Sequence, residues 1–103
     1  MGNLGYPFRP YHPGELLKEE LECRNISQKE FARKFGISYT ALNEVLNAKR
    51  PVSTDFALFM EASLGVSADL LVRMQTSYNM QVARQDNKLV DKLNKIRKIA
   101  AIL

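Results

Sequence analysis

Ser27-Gln28-Lys29-Glu30-Phe31-Ala32-Arg33-Lys34-Phe35-Gly36-Ile37-Ser38 is the stretch that decides the fold. Serine followed by glutamate three residues on is a capping box: the Ser27 oxygen accepts from the N–H three residues ahead, and Glu30 reaches back to the cap. Phe31, Ala32 and Phe35 then form an apolar stripe, and Gly36 stands where a helix stop needs positive φ. The spacing predicts a short helix over about 28–35. Ser38, directly after Ile37, offers a second N-cap. Beyond it, Ala41, Leu42, Val45 and Leu46 share one helical face, and Tyr39, Thr40, Asn43, Glu44 and Asn47 share the other. Two short helices joined by Phe35-Gly36-Ile37-Ser38 make a helix-turn-helix.

The flanking sequence extends the helical pattern in both directions. Upstream, Pro13 suits a first helical position, where its missing N–H is not needed. Leu16, Leu17 and Leu21 follow at helical spacing, and Arg24-Asn25 closes that helix. Residues 1–12, with Pro7 and Pro10 among Tyr6, Phe8 and Tyr11, read as an extended arm. Downstream, Ser53 or Thr54 caps a fourth helix whose Phe56, Ala57, Phe59, Met60, Ala62 and Leu64 belong against a core, with Gly65 as its stop. Ser67 caps a fifth, expected to turn Leu70, Leu71, Met74, Tyr78 and Val82 inward and to run to about Arg84. Leu89, Leu93, Ile96, Ala100 and Leu103 form a last amphipathic stripe with lysines opposite. No β-alternation, repeat or low-complexity stretch interrupts this order. The expected organisation is an arm over 1–12, a helix-turn-helix domain over 13–84 and a basic amphipathic helix over 85–103.

Composition narrows the function. A chain of 103 residues with 46% apolar residues supports one packed domain. No apolar run approaches the roughly 20 residues a membrane span needs, and the N-terminus lacks a secretory pattern, so the default location is the cytosol. The single cysteine, Cys23, falls in an apolar helical pattern and is expected to behave as a small buried hydrophobe. The single histidine, His12, is a poor metal ligand on its own, since such sites need converging donors. With no nucleophile–base pair, metal cluster or phosphate-cradling glycine loop, the pattern offers no catalytic residues and no cofactor. Net charge is +4 and unevenly spread. Glu15, Glu19, Glu20 and Glu22 make the first helix acidic. Arg24, Lys29, Arg33, Lys34, Lys49 and Arg50 make the middle basic, and Lys88, Lys92, Lys95, Arg97 and Lys98 the tail.

A basic helix-turn-helix points to DNA for a geometric reason. A major groove about 12 Å wide admits one α-helix. That helix needs a buried face to hold it and a short-chain polar face to read bases. The helix from Tyr39 has both. Thr40 and Asn43 can bond base edges, Tyr39 can pack on a thymine methyl, and Glu44 can accept from a cytosine amino group. Positioning falls to phosphate contacts: Gln28 and Ser38 at helix starts, and Asn47, Lys49 and Arg50 after the reading helix. The alternative is that these polar residues only solubilise a helical bundle.

The same residues resemble a known family. Gln28, Ala32 and Gly36 fit the helix-turn-helix of the phage-repressor, Xre-like group. Tyr11-His12-Pro13-Gly14-Glu15-Leu16-Leu17 resembles the His-Pro-Gly-Glu opening of HigA-type antitoxins. Val45-Leu46-Asn47-Ala48-Lys49-Arg50, Leu64-Gly65-Val66-Ser67 and Met74-Gln75-Thr76-Ser77-Tyr78-Asn79 resemble further segments of that group, in order, over residues 11–84. The family usually has glycine where Ala48 stands and often tryptophan near Leu71. The resemblance implies an all-α, five-helix Xre/lambda-repressor-like helix-turn-helix domain with an additional C-terminal amphipathic helix. It also implies a homodimer on a double-stranded DNA operator, and neutralisation of a small basic toxin of the mRNA-cleaving HigB/RelE type. The family's dimerisation through its C-terminal half makes Leu71, Tyr78, Leu89, Leu93 and Ile96 candidates for a dimer or partner surface, with intramolecular packing as the alternative. A stand-alone repressor and a helical protein-interaction module remain as rival readings.

Overall fold

Each helix begins where a side chain can satisfy its orphan N–H groups. In the computed structural model, which describes residues 9–103, these starts delimit six helices. They are α1 (Pro13–Cys23), α2 (Gln28–Phe35), α3 (Tyr39–Leu46), α4 (Thr54–Leu64), α5 (Ala68–Arg84) and α6 (Asn87–Ala100). Serine oxygens cap α2, α3, α4 and α5, at Ser27, Ser38, Ser53 and Ser67, and the Asp86 carboxylate caps α6. No strand occurs among the described residues, so the all-α expectation holds. Residues 1–8 of the expected arm lie outside the described residues.

The capping box falls elsewhere than the sequence suggests. Ser27 does accept from the Glu30 N–H at 3.0 Å. The Glu30 carboxylate, however, takes the Arg33 guanidinium at 2.6 Å instead of reaching back to the cap. The reciprocal box sits at α1. His12 Nδ1 accepts from the Gly14 N–H at 2.9 Å, and the Glu15 carboxylate accepts from the His12 N–H at 3.1 Å. His12 is buried there, edge-on to the Tyr78 ring of α5 at 4.8 Å. Arg9 closes the corner with a double hydrogen bond to Glu15, which holds that carboxyl below its ordinary range.

The stops of α1, α2 and α3 share one geometry. After α2, the Ile37 N–H bonds the Ala32 carbonyl and the Gly36 N–H bonds Arg33, with Gly36 at φ 67°. This six-to-one, five-to-two pattern is a Schellman stop. It recurs after α1 with Asn25 at φ 58°, and after α3 with Ala48 at φ 61°. Asparagine tolerates this left-handed backbone; alanine is strained in it.

Packing gathers Leu17 and Leu21 of α1, Phe31 and Ala32 of α2, and Leu42, Val45 and Leu46 of α3 into one core. Val52, with Ala57, Met60 and Leu64 of α4 and Ala68 and Leu71 of α5, completes it. The approach of α1 to α3 is close: a Cβ at Gly14 would lie 1.9 Å from the Val45 carbonyl oxygen. Across the molecule, the buried Gln75 amide accepts from the Val52 N–H at 2.8 Å and donates to Asn79 at 2.9 Å. The Val52 bond ties α5 to the loop after α3. Several expectations need correction. Cys23 is exposed, because it falls at the end of α1 beyond the last core turn. Leu70 and Val82 face solvent; the inward face of α5 is Leu71 with Gln75, and Tyr78 half-buried beside it. Phe35 is more than a third exposed, yet it packs edge-on to Phe59 at 5.7 Å.

α6 packs chiefly on α5 and extends away from the rest. The radius of gyration is 17.5 Å, against about 13 Å for a compact chain of 100 residues.

Gly14→Ala is expected to lower stability by about 2 kcal/mol or more, because backbone at Val45 must give way. Ala48→Gly should raise it by about 0.5–1 kcal/mol, the relief of left-handed strain less the added freedom of the unfolded chain. Denaturant midpoints measure both. Burial holds the His12 pKa below its ordinary 6.5. Between the lowered value and pH 6.5 the unfolded chain therefore binds a proton that the folded chain does not. Stability should thus be full above pH 6.5 and fall as pH drops toward the folded pKa. His12→Asn retains a capping oxygen and cannot titrate, so its urea midpoint should lose this part of the pH dependence.

Candidate nucleic-acid interface

The turn between α2 and α3 sets the angle at which α3 is presented. Gly36 allows the chain to reverse, and Ala32 is small enough for the two helices to close on one another. With Leu42, Val45 and Leu46 buried, the opposite face of α3 turns outward. Tyr39 and Thr40 are exposed at its start, and Asn43 and Glu44 are half-buried one turn on. Ser38 accepts from the Ala41 N–H at 3.1 Å and so caps this helix as read.

Hydrogen bonds join the polar groups of that face. Asn43 Nδ2 donates to Gln28 Oε1 at 2.9 Å, bridging α3 to the start of α2. Asn47 Nδ2 donates to the Asn43 carbonyl at 2.9 Å, and Lys18 Nζ on α1 donates to Asn47 Oδ1 at 3.2 Å. Lys29 Nζ stands 5.8 Å above the Tyr39 ring, within cation–π range. Glu44 and Arg50 form an ion pair at 2.6 Å with both side chains partly exposed. Lys49 is exposed beside them.

The expected residues thus spread along α3, with Ser38, Tyr39 and Thr40 at its start, Asn43 bonded to Gln28 and Asn47, and the Glu44–Arg50 pair and Lys49 at and beyond its end. Two of the expected roles compete, since Glu44 and Arg50 hold each other. An exposed pair of this kind contributes about 0–1 kcal/mol, so a phosphate or a base amino group can open it. Lys18 was missed by sequence reasoning, and no spacing in the sequence signals its contact. The support from His12, Gly14 and Gln75 was also missed. Glutamate three residues after His12 was the available sign of that cap.

The residues expected to form a dimer or partner surface separate. Leu71 is fully buried in the core and forms no surface; its face of α5 meets the other helices. Tyr78 is half-buried against His12, and Leu89 is half-buried. Leu93 and Ile96 are exposed.

Comparisons with known proteins match this geometry. The helix-turn-helix family profile matches residues 17–71, from the core of α1 to the first turn of α5. Virulence-associated protein I of Dichelobacter nodosus is 32% identical over 81 residues, covering 78% of this chain and 75% of that protein. An addiction module antidote protein of the HigA family from Coxiella burnetii has a TM-score of 0.70 at 29% identity, covering 82% of this chain and 95% of that one. The Pseudomonas aeruginosa antitoxin HigA, solved with the higBA promoter, has a TM-score of 0.71 at 31% identity, covering 78% and 88%. The chain belongs to the helix-turn-helix family of DNA-binding regulators, in its Xre-like, HigA-type group.

Proposed function

We propose that this protein represses transcription as a homodimer on an operator and acts as the antitoxin of a small mRNA-cleaving toxin of the HigB/RelE type. The observation that carries the DNA reading is the α2–α3 pair. The apolar face of α3 is buried, its polar face is outward, and Asn43 is braced by Gln28 across the turn. In this reading α3 enters the major groove, and Tyr39, Thr40, Asn43 and Glu44 meet base edges. Gln28, Ser38, Asn47, Lys49 and Arg50 meet phosphates. Two copies address half-sites about 34 Å apart. The antitoxin role is supported by the similarity to the Coxiella burnetii antidote protein and the Pseudomonas aeruginosa antitoxin.

Titrations of DNA from the region upstream of its own reading frame, across a range of salt, test the assignments. Lys49→Ala should weaken binding to every sequence and flatten the salt slope by about one unit. Asn43→Ala should relax preference at one base pair by roughly 1–3 kcal/mol. Gln28→Ala should produce a smaller loss of preference at the same position. Wild-type behaviour from all three would remove α3 from the interface. For the antitoxin role, the adjacent small reading frame is expressed with and without this protein. Growth arrest relieved by this protein is expected. A harmless neighbour would leave a stand-alone repressor.

A further inference from the structure

The apolar face of α6 has no cover within the chain. Leu89 is half-buried on α5, but Ile96 is 50% and Ile99 65% exposed, and Leu93 and Leu103 are exposed with them. Leu89, Leu93, Ile96 and Ala100 of α6 follow one another at steps of four, three and four, with Leu103 beyond the end of the helix. That spacing makes the narrow seam by which one helix packs along another. A small alanine within the seam suits close helix contact.

The charges beside the seam decide what can pack there. α6 carries Lys88, Lys92, Lys95, Arg97 and Lys98 against Asp91 alone. The seam is bordered by Val90 and Arg97 on one side and by Lys92 and Ile99 on the other, so one cation stands on each flank. In a parallel pair of α6 helices, Lys92 of one copy faces Arg97 of the other. In an antiparallel pair, the flank of Lys88, Lys92 and Lys95 lies along its own counterpart. Like charges therefore oppose self-pairing of this helix in both directions, contrary to its use as a dimer seam. A bilayer needs no four-three register, and phosphates leave an apolar stripe in water.

We infer that α6 is a docking helix for an acidic amphipathic helix of another protein. Leucine-type side chains of that partner fill the seam, and its carboxylates border Lys92 and Arg97. The association would be heterotypic, and distinct from the DNA-reading face on α2 and α3.

The test uses the full chain and a labelled three-heptad synthetic peptide with leucine at its core positions and glutamate at its flanking positions. A matched peptide with lysine flanks is the control. Fluorescence anisotropy should give saturable binding of the glutamate peptide, at least ten-fold weaker in about 0.5 M salt. The lysine peptide should bind at least ten-fold more weakly. Ile96→Asp, at an exposed position and with an unchanged thermal midpoint, should abolish binding. Lys92→Glu combined with Arg97→Glu should reverse the preference toward the lysine peptide. Equal binding of both peptides, or of neither, would overturn the inference. So would a dimer in sedimentation that Ile96→Asp dissociates, since a second copy would then cover the seam. Binding to phosphatidylglycerol vesicles without any preference between the peptides would assign the face to a lipid surface instead.

Discussion

The contact on which the rest of the structure depends is the approach of the α1 main chain at Gly14 to the Val45 carbonyl at the end of α3. With no Cβ at Gly14, the first turn of α1 rests directly on the last turn of α3. The neighbours of that contact hold it in place. His12 caps α1 with its ring against Tyr78, Arg9 clasps Glu15, and Gln75 bonds the Val52 N–H just beyond α3. The start of α1, the end of α3 and the middle of α5 thus meet in one buried polar corner. Every polar side-chain atom buried among the described residues has a partner, as a corner of this kind requires. The angle of the reading helix follows from it, because α3 is fixed at its far end by α1 and at its near end by the Gly36 turn.

Helix ends set the second constraint. Each of the first four helices stops through a left-handed residue: Asn25, Gly36, Ala48 and Gly65. Glycine and asparagine adopt that conformation at little cost, whereas Ala48 stores strain beside Asn47 and Lys49, in the segment proposed to grip phosphate. The glycine that the HigA-type group usually carries at this position now has a physical reason, since the backbone there is the one glycine favours. The strain at Ala48 is tolerated because the Lys49 N–H bonds Glu44 at 2.8 Å and Val45 is buried in the core.

Electrostatics divide the surface by element. The acids of α1 are mostly engaged locally, Glu15 with Arg9, Glu19 with Tyr11 and Glu20 with Arg24. The cations of α6 lack such partners in number, and they border an apolar seam left open to solvent. Around α3 the charges are balanced through Glu44 and Arg50, which leaves amides and hydroxyls to dominate the outward face. A face rich in short polar groups discriminates between bases better than one that attracts any phosphate.

The sequence by itself determined the helices, the serine caps of α2 to α5, the stops at Asn25, Gly36 and Gly65, the order of the helix-turn-helix and the face that α3 buries. Those features are local: a serine oxygen reaches an N–H three residues away, and apolar residues at helical spacing share a face whatever surrounds them. Only the tertiary structure decided what depends on a neighbour distant in the chain. It gave Gly14 its contact with Val45, Gln75 its bond to Val52, and Asn43 its brace from Gln28. It turned Cys23, Leu70 and Val82 outward although their periodicity looked inward, because periodicity records that a stripe exists and not how far the neighbouring helix extends over it. It also left the seam of α6 uncovered. Whether an apolar face finds a cover depends on distances in space that spacing along the chain does not carry.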